Sequence, residues 1–273
     1  MASIGVNVCL AGWLADPTHM PASHLERADD STRVYAAVMR EVLTESSALQ
    51  IVFEDNHLLV VEKPAGLLTQ AAKAGDDCLL ERARDYVRDR YDKPGNVYMG
   101  LVHRLDRNVS GLVVLCKTSK AASRLSKAFA KRSIEKRYLA WVVGEPAEAA
   151  ELVDYLAPRA GRRGVERHPE GKEARLRYRC LERGPRHAAL EVELLTGRKH
   201  QIRAQLAFNG LAIVGDPLYG VALGHLRRPA LHAHRLAFAH PVGKAPMDFS
   251  SPAPAALLKA AERLGLRSGW AQF

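Results

Sequence analysis

Cysteine is scarce in this 273-residue chain: there are four, at 9, 78, 116 and 180, and no CxxC pair. That excludes a disulfide scaffold or a zinc ribbon and leaves free thiols in a reducing compartment as the expectation. No apolar run approaches the roughly 20 residues that span a bilayer. The stretch 4–15 is mildly apolar, but the first basic residue is Arg27, so the positive start of a secretory signal is missing. A cytoplasmic chain without a membrane partner is expected. Also missing are a phosphate-binding GxxxxGK[ST] loop, HExxH, GxSxG and an EF-hand loop. There is no internal repeat and no low-complexity tract. His232 and His234 form an HxH, with His225 or His240 as further donors. No carboxylate stands close in sequence to complete that set, so no metal site is expected.

What the chain has in excess is positive charge. Apolar residues make up 47% and charged residues 26%, which excludes disordered and collagenous classes. Forty Lys and Arg against 30 Asp and Glu give a net charge of +10, which points to a polyanionic partner. The surplus is uneven. Residues 1–62 hold 3 basic and 9 acidic side chains, residues 101–140 hold 10 and 2, and residues 158–205 hold 13 and 6. Two internal basic segments suit a folded face that tracks phosphates. Long basic stems coating helices and edge strands would give the same count.

Residues 1–50 are acidic and lack strand-like runs; Asp30 or Ser31 caps an expected short helix with Val34, Val38 and Val42 on one face. They read as an N-terminal extension to one domain spanning 51–273. In that domain strands are expected at 51–53, 58–62, 112–117, 134–143, 174–181, 188–195 and 231–238. Helices are expected at 79–90, at 119–131 with Ser119 as cap and Ala122, Leu125 and Phe129 inward, at 201–208 and at 254–264. The segment 174–195 reads as a hairpin turning near Gly184-Pro185. Strands outnumber helices and do not alternate with them. The fold class is therefore α+β: a mixed, mainly antiparallel sheet flanked by helices.

Three segments carry chemistry. In LVHRLDRNVSG, 101–111, Asp106 is a lone acid among His103, Arg104 and Arg107, whose charges favour a carboxylate fit to act as nucleophile or base. It reads equally as a turn acid with local ion pairs. In EKRY, 135–138, Tyr138 lies beside cations and can stack on a base or sit as an ordinary strand tyrosine. In LTGRKHQIR, 195–203, Arg198 and Lys199 open a helix start that attracts phosphate, with His200 following. Arg203, at the border of an apolar stripe, can reach into a cleft and pair with an acid.

Together these segments resemble the RluA-type pseudouridine synthases. The likeness rests on HRLDRNVSG at 103–111, KRYLA at 136–140 and TGRKHQIRAQL at 196–206. It extends upstream through IVFEDNHLLVVEKPAGLL at 51–68 and downstream through GDPLYG at 215–220 and LHAHRLAF at 231–238. The resemblance implies that Asp106 is the catalytic carboxylate, that Tyr138 lies against the target uracil and that Arg203 ion-pairs with Asp106. It implies that Arg104 enters the RNA stack beside the flipped base. His103, Arg107, Arg198, Lys199 and His200 are the remaining expected RNA contacts. It further implies isomerisation of uridine in a structured ribosomal or transfer RNA, with no cofactor, by a monomer. Many relatives carry a small basic S4-type module ahead of this domain, and none is evident in the acidic residues 1–50. Two departures stand out: Val109 replaces the usual Thr, and Thr69-Gln70 follows GLL where Val-His-Pro is common. Two other readings remain, a noncatalytic RNA-binding module of the same fold and a metal-dependent nuclease built on the HxH.

Overall fold

A strand buried on both faces reads as an unbroken apolar run, because neither side meets water. Leu58 to Val61 and Leu112 to Leu115 are two such runs, and they pair side by side, wholly buried. A computed structural model describes residues 49–221 and 226–267. The helix expected around Val34, Val38 and Val42 lies outside the described residues, as does His225.

The strands are β1 Gln50–Glu54, β2 Leu58–Lys63, β3 Gly100–Leu101, β4 Ser110–Cys116, β5 Glu135–Val143, β6 Ala149–Pro158, β7 Val165–Arg167, β8 Lys172–Arg183, β9 His187–Leu194, β10 Leu231–Ala239 and β11 Pro246–Ser250. The helices are α1 Leu79–Arg90, α2 Ser119–Ala130, α3 Gln201–Phe208 and α4 Ala255–Arg263. Among the described residues these strands form one sheet in the order β1-β2-β4-β10-β5-β9-β8-β6-β7, with β11 on β10 and β3 on β4. The β4–β10 pair is parallel, and the other pairs between named strands are antiparallel. The fold is α+β around a mixed, mainly antiparallel sheet, with β8 and β9 as the expected hairpin.

Alternation sorts the side chains. Leu58, Val60, Leu112 and Val114 pack with Ala121 and Leu125 of α2. Leu59, Val61, Val113 and Leu115 join the larger core with Leu79, Ala83 and Val87, which are spaced four apart on α1. The cap of α2 is Thr118, not Ser119: its hydroxyl accepts the Ala121 N–H at 3.3 Å. Ala121 is therefore the inward alanine, while Ala122 and Phe129 are only partly buried. Four strands escaped the sequence reading. The largest, β6, leaves Glu151, Val153 and Tyr155 facing out, so its apolar signal is halved. The others, β3, β7 and β11, are too short or too polar to show a pattern.

Between β4 and β10 the backbones come unusually close. Gly111 has φ +122°, and a Cβ there would sit 2.3 Å from the Ala233 carbonyl oxygen. This contact fixes the chain immediately after the Asp106 loop. The HxH lies on the same strand. His232 is fully buried, with Nδ1 3.0 Å from Ser110 Oγ and Nε2 3.2 Å from the Ser251 carbonyl oxygen. His234 Nε2 lies 3.4 Å from Glu191 and His240 Nε2 lies 2.9 Å from Asp55.

Candidate active site

The loop from Val102 to Val109 crosses from β3 to β4 and is held on either side of Asp106 by Lys63, Gly66 and Thr69. Lys63 is completely buried, and its Nζ donates to the carbonyl oxygens of Pro64 at 2.8 Å, Leu67 at 2.8 Å and Arg107 at 3.0 Å. Three donated bonds use all the hydrogens of an ammonium group. Burial pushes the Lys63 pKa down to about 7, and the Arg228 charge adds to this while Asp106 opposes it. Gly66 and Arg107 exchange two bonds, Gly66 N–H to the Arg107 carbonyl and Arg107 Nε to the Gly66 carbonyl, each 2.8 Å. Thr69, one of the departures from the family pattern, donates its hydroxyl to the Leu105 carbonyl at 2.8 Å and accepts the Leu105 N–H at 3.3 Å. Val109, the other departure, is buried and packs in the core. Replacing Lys63 with Met leaves three carbonyls without their donor, at about 1–3 kcal/mol each where buried. The expected result is a lower melting temperature and a turnover reduced roughly tenfold, read from thermal unfolding and steady-state kinetics.

Asp106 sits at the middle of this loop, partly exposed, and meets α3 from the other side. Arg203 Nη1 donates to Asp106 Oδ2 at 2.8 Å. The same guanidinium grips Asp216 in a fork, Nε to Oδ2 at 2.6 Å and Nη2 to Oδ1 at 2.8 Å. Asp216 is inaccessible to solvent and also accepts the N–H groups of Leu218 and Tyr219. Burial works against its charge, but these bonds bring its pKa below the ordinary carboxylate value. For Arg203, burial is likewise outweighed by its two acids, and its pKa is raised. Arg203 does not lie at the border of an apolar stripe as expected. Residues 201–206 are buried all round, because α3 is enclosed rather than laid on the surface. Its polar residues are satisfied inside: Gln201 bonds Thr196, the Arg198 N–H and the Arg175 carbonyl, and Gln205 bonds Asp154.

His200 precedes α3 in a left-handed conformation, φ 53° and ψ 20°. Its Nδ1 lies 3.1 Å from the Tyr219 hydroxyl, which itself accepts the Val165 N–H at 2.6 Å. The hydroxyl hydrogen is thereby free for Nδ1, which leaves Nε2–H facing Asp106 Oδ2 at 3.8 Å. Burial lowers the His200 pKa against the pull of Asp106, so the ring is neutral at pH 7.

These groups open into a cleft of about 1000 Å³, lined by Asp106, Tyr138, Arg203, Arg104 and Lys199 among others. That is the upper end of ligand pockets, which run from about 300 to 1,000 Å³, so the cleft admits more than one base. Tyr138 is buried on β5, and burial together with the Asp106 charge raises its pKa. It stays a phenol, suited to stacking and donating a hydrogen bond rather than to resting as a base. Arg104 and Lys199 are exposed at the rim, and among the described residues neither is in an ion pair. Arg198 Nε is committed to the Glu173 carbonyl at 2.9 Å. His103 also lines the cleft. Its Nε2 accepts the Val114 N–H at 3.0 Å just past the end of β3, its ring stacks on Phe129 at 4.9 Å, and burial pushes its pKa down to about 3.

His103 and His232 set a pH dependence. Burial also holds His232 low, at about 4. Unfolded histidines titrate near pH 6.5, so below that pH the unfolded chain binds protons that the folded chain refuses. Stability is expected to be full above about pH 6.5 and to fall as pH drops towards 4, by a few kcal/mol. Urea midpoints measured at pH 7 and pH 5 check this; equal midpoints would show that neither ring is buried neutral.

The three expected catalytic residues, from β5, α3 and the β3–β4 loop, thus line one cleft. Residues 57–208 match the family model described as RNA pseudouridylate synthase. The chain belongs to the RNA pseudouridylate synthase family. It is similar to the ribosomal large subunit pseudouridine synthase D of Xanthomonas campestris, 34% identical over 90% of this chain and 80% of that one. The enzyme of the same name from Pseudomonas aeruginosa is 35% identical over 90% and 83%. The solved structure of human RNA pseudouridylate synthase domain containing 4 shares the fold, with a TM-score of 0.68 and 22% identity over 84% of this chain and 96% of that chain. The chain is an RNA pseudouridine synthase of the RluA type, an isomerase. Among the described residues no helix is long and apolar enough to cross a membrane.

Proposed function

We propose that this synthase isomerises uridine in large-subunit ribosomal RNA, with Asp106 as the catalytic carboxylate. The observation that carries this reading is the Asp106–Arg203–Asp216 chain at the floor of a cleft that also presents Tyr138. The substrate follows from the names of the relatives. The reaction breaks the bond from ribose C1′ to uracil N1, turns the base, joins C1′ to C5, releases the C5 proton and leaves a proton on N1. Atoms balance with no redox step and no external group.

The uridine leaves its stack at a cost of about a few kcal/mol, which basic contacts to phosphate offset. Asp106 acts in the cleavage step. Attack on the base, attack on the ribose and deprotonation of the sugar each require its carboxylate, and Arg203 supplies the countercharge. Asp216 holds Arg203 by two bonds, so the guanidinium is oriented before substrate arrives. Tyr138 supports the uracil by its ring and donates its hydroxyl. Arg104 and Lys199 at the rim meet the RNA backbone or stack, while Arg107 fixes the loop through Gly66. Residues 51–273 form the catalytic domain, with 1–50 an acidic extension to it. Chemical mapping of pseudouridine in total RNA, with and without the gene, tests the reading. A large-subunit ribosomal uridine that loses its modification supports it; an unchanged map overturns it.

A further inference from the structure

We infer that Lys136 binds a backbone phosphate flanking the flipped uridine, a contact that rests on the reading of the cleft as a uridine isomerase site. Lys136 and Tyr138 are two apart on β5, so both point from the same face into the cleft. Side chains two apart on a strand stand about 6.5–7 Å from each other. That is the scale of the span from a nucleotide's base to its own phosphate. A uracil against Tyr138 therefore brings a phosphate to Lys136.

The surroundings of Lys136 call for an anion. Lys136 is only partly exposed, and a lysine drawn in from water ordinarily finds a counter-ion. Among the described residues no carboxylate lies within ion-pair distance of the Lys136 ammonium, whose close companion is the Phe129 ring at 5.8 Å. Its strand neighbours Glu135 and Arg137 bind each other, and Arg137 continues to Glu191. The charge that bears on Lys136 is a like one, Arg132, which also lines the cleft. Burial and Arg132 push the Lys136 pKa down to about 8, as they must for a cation awaiting its counter-ion. Arg132 already faces Glu173 at 3.6 Å, so a phosphate at this place supplies the counter-ion that Lys136 lacks. The contact gives affinity without sequence reading, as backbone contacts do.

The test uses the full chain and a synthetic stem-loop of large-subunit ribosomal RNA containing the uridine that the wild-type enzyme converts. Methylphosphonate replaces the phosphate on its 5′ or its 3′ side. Conversion of the unmodified stem-loop by wild-type protein checks the isomerase reading separately. Binding is measured in the Asp106→Asn background so that no product forms. One of the two replacements is expected to weaken wild-type-like binding about tenfold. Lys136→Gln is expected to weaken binding of unmodified RNA by a similar factor and to be indifferent to that replacement. Its salt slope should fall by about 0.7–0.9, the loss of one phosphate contact. Lys136→Arg should keep both affinity and sensitivity. Additive losses, or no loss from either replacement with Lys136 intact, overturn the inference. The replacement series and Lys136→Arg stand even where Lys136→Gln folds poorly.

Discussion

Asp106→Asn is expected to lose product formation by about 10³-fold or more while RNA affinity changes less than about threefold. The amide keeps the shape of the side chain and can still face Arg203. It has no charge to attack or to take a proton. Asp106 is partly exposed in the cleft, with 29% of its side chain accessible, so the substitution strands no buried charge on Asp106 itself. Arg203 retains its fork to Asp216. Stability should therefore hold while catalysis goes. Single-turnover assays of pseudouridine formation, paired with equilibrium binding of the same RNA, decide this. Substantial product from the Asn variant would remove Asp106 from its proposed role.

The second large effect is on both activity and stability. Arg203→Met removes the countercharge of Asp106 and is expected to reduce turnover about 10²–10³-fold. It also leaves Asp216, with no accessible side-chain surface, without its cation. Breaking a buried pair by removing one member costs about 3–5 kcal/mol. The double variant Arg203→Met, Asp216→Asn removes the stranded charge. It should recover much of the stability and none of the activity. Chemical unfolding and turnover, measured on single and double variants, separate the two roles. Near-normal turnover in the single variant would show that Asp106 needs no help from Arg203.

The elements that sequence pattern reveals are those whose period matches their burial. Helices α1 and α3 have the expected limits, and β2 and β4 show as apolar runs because both faces are covered. Strand β6, with one wet face carrying Glu151 and Tyr155, gives no such signal. At the site, short motifs bring Asp106, Tyr138 and Arg203 to attention because they are unusual locally. Their supports are not unusual locally. Lys63 looks like the charged end of a strand before a proline, and only three carbonyls converging from Pro64, Leu67 and Arg107 reveal its task. Asp216 reads as a turn acid in GDPLYG until Arg203 is seen folded over it. Thr69 looks like a loop variation, yet it closes both backbone bonds of Leu105. His103 has a structural bond that its basic motif does not announce: it accepts the Val114 N–H while lining the cleft.

The parallel pairing of Gly111 with Ala233 joins segments more than a hundred residues apart in the chain. Such contacts form late, since a long loop must close before they stabilise anything. Tyr138 also leans on this partner, as β10 lies between β4 and β5. During synthesis, then, the segments bearing Asp106, Tyr138 and Arg203 leave the ribosome before the strand that draws two of them together. The nascent chain carries its catalytic residues in an unassembled state until β10 emerges, and competence to act on RNA waits for that strand.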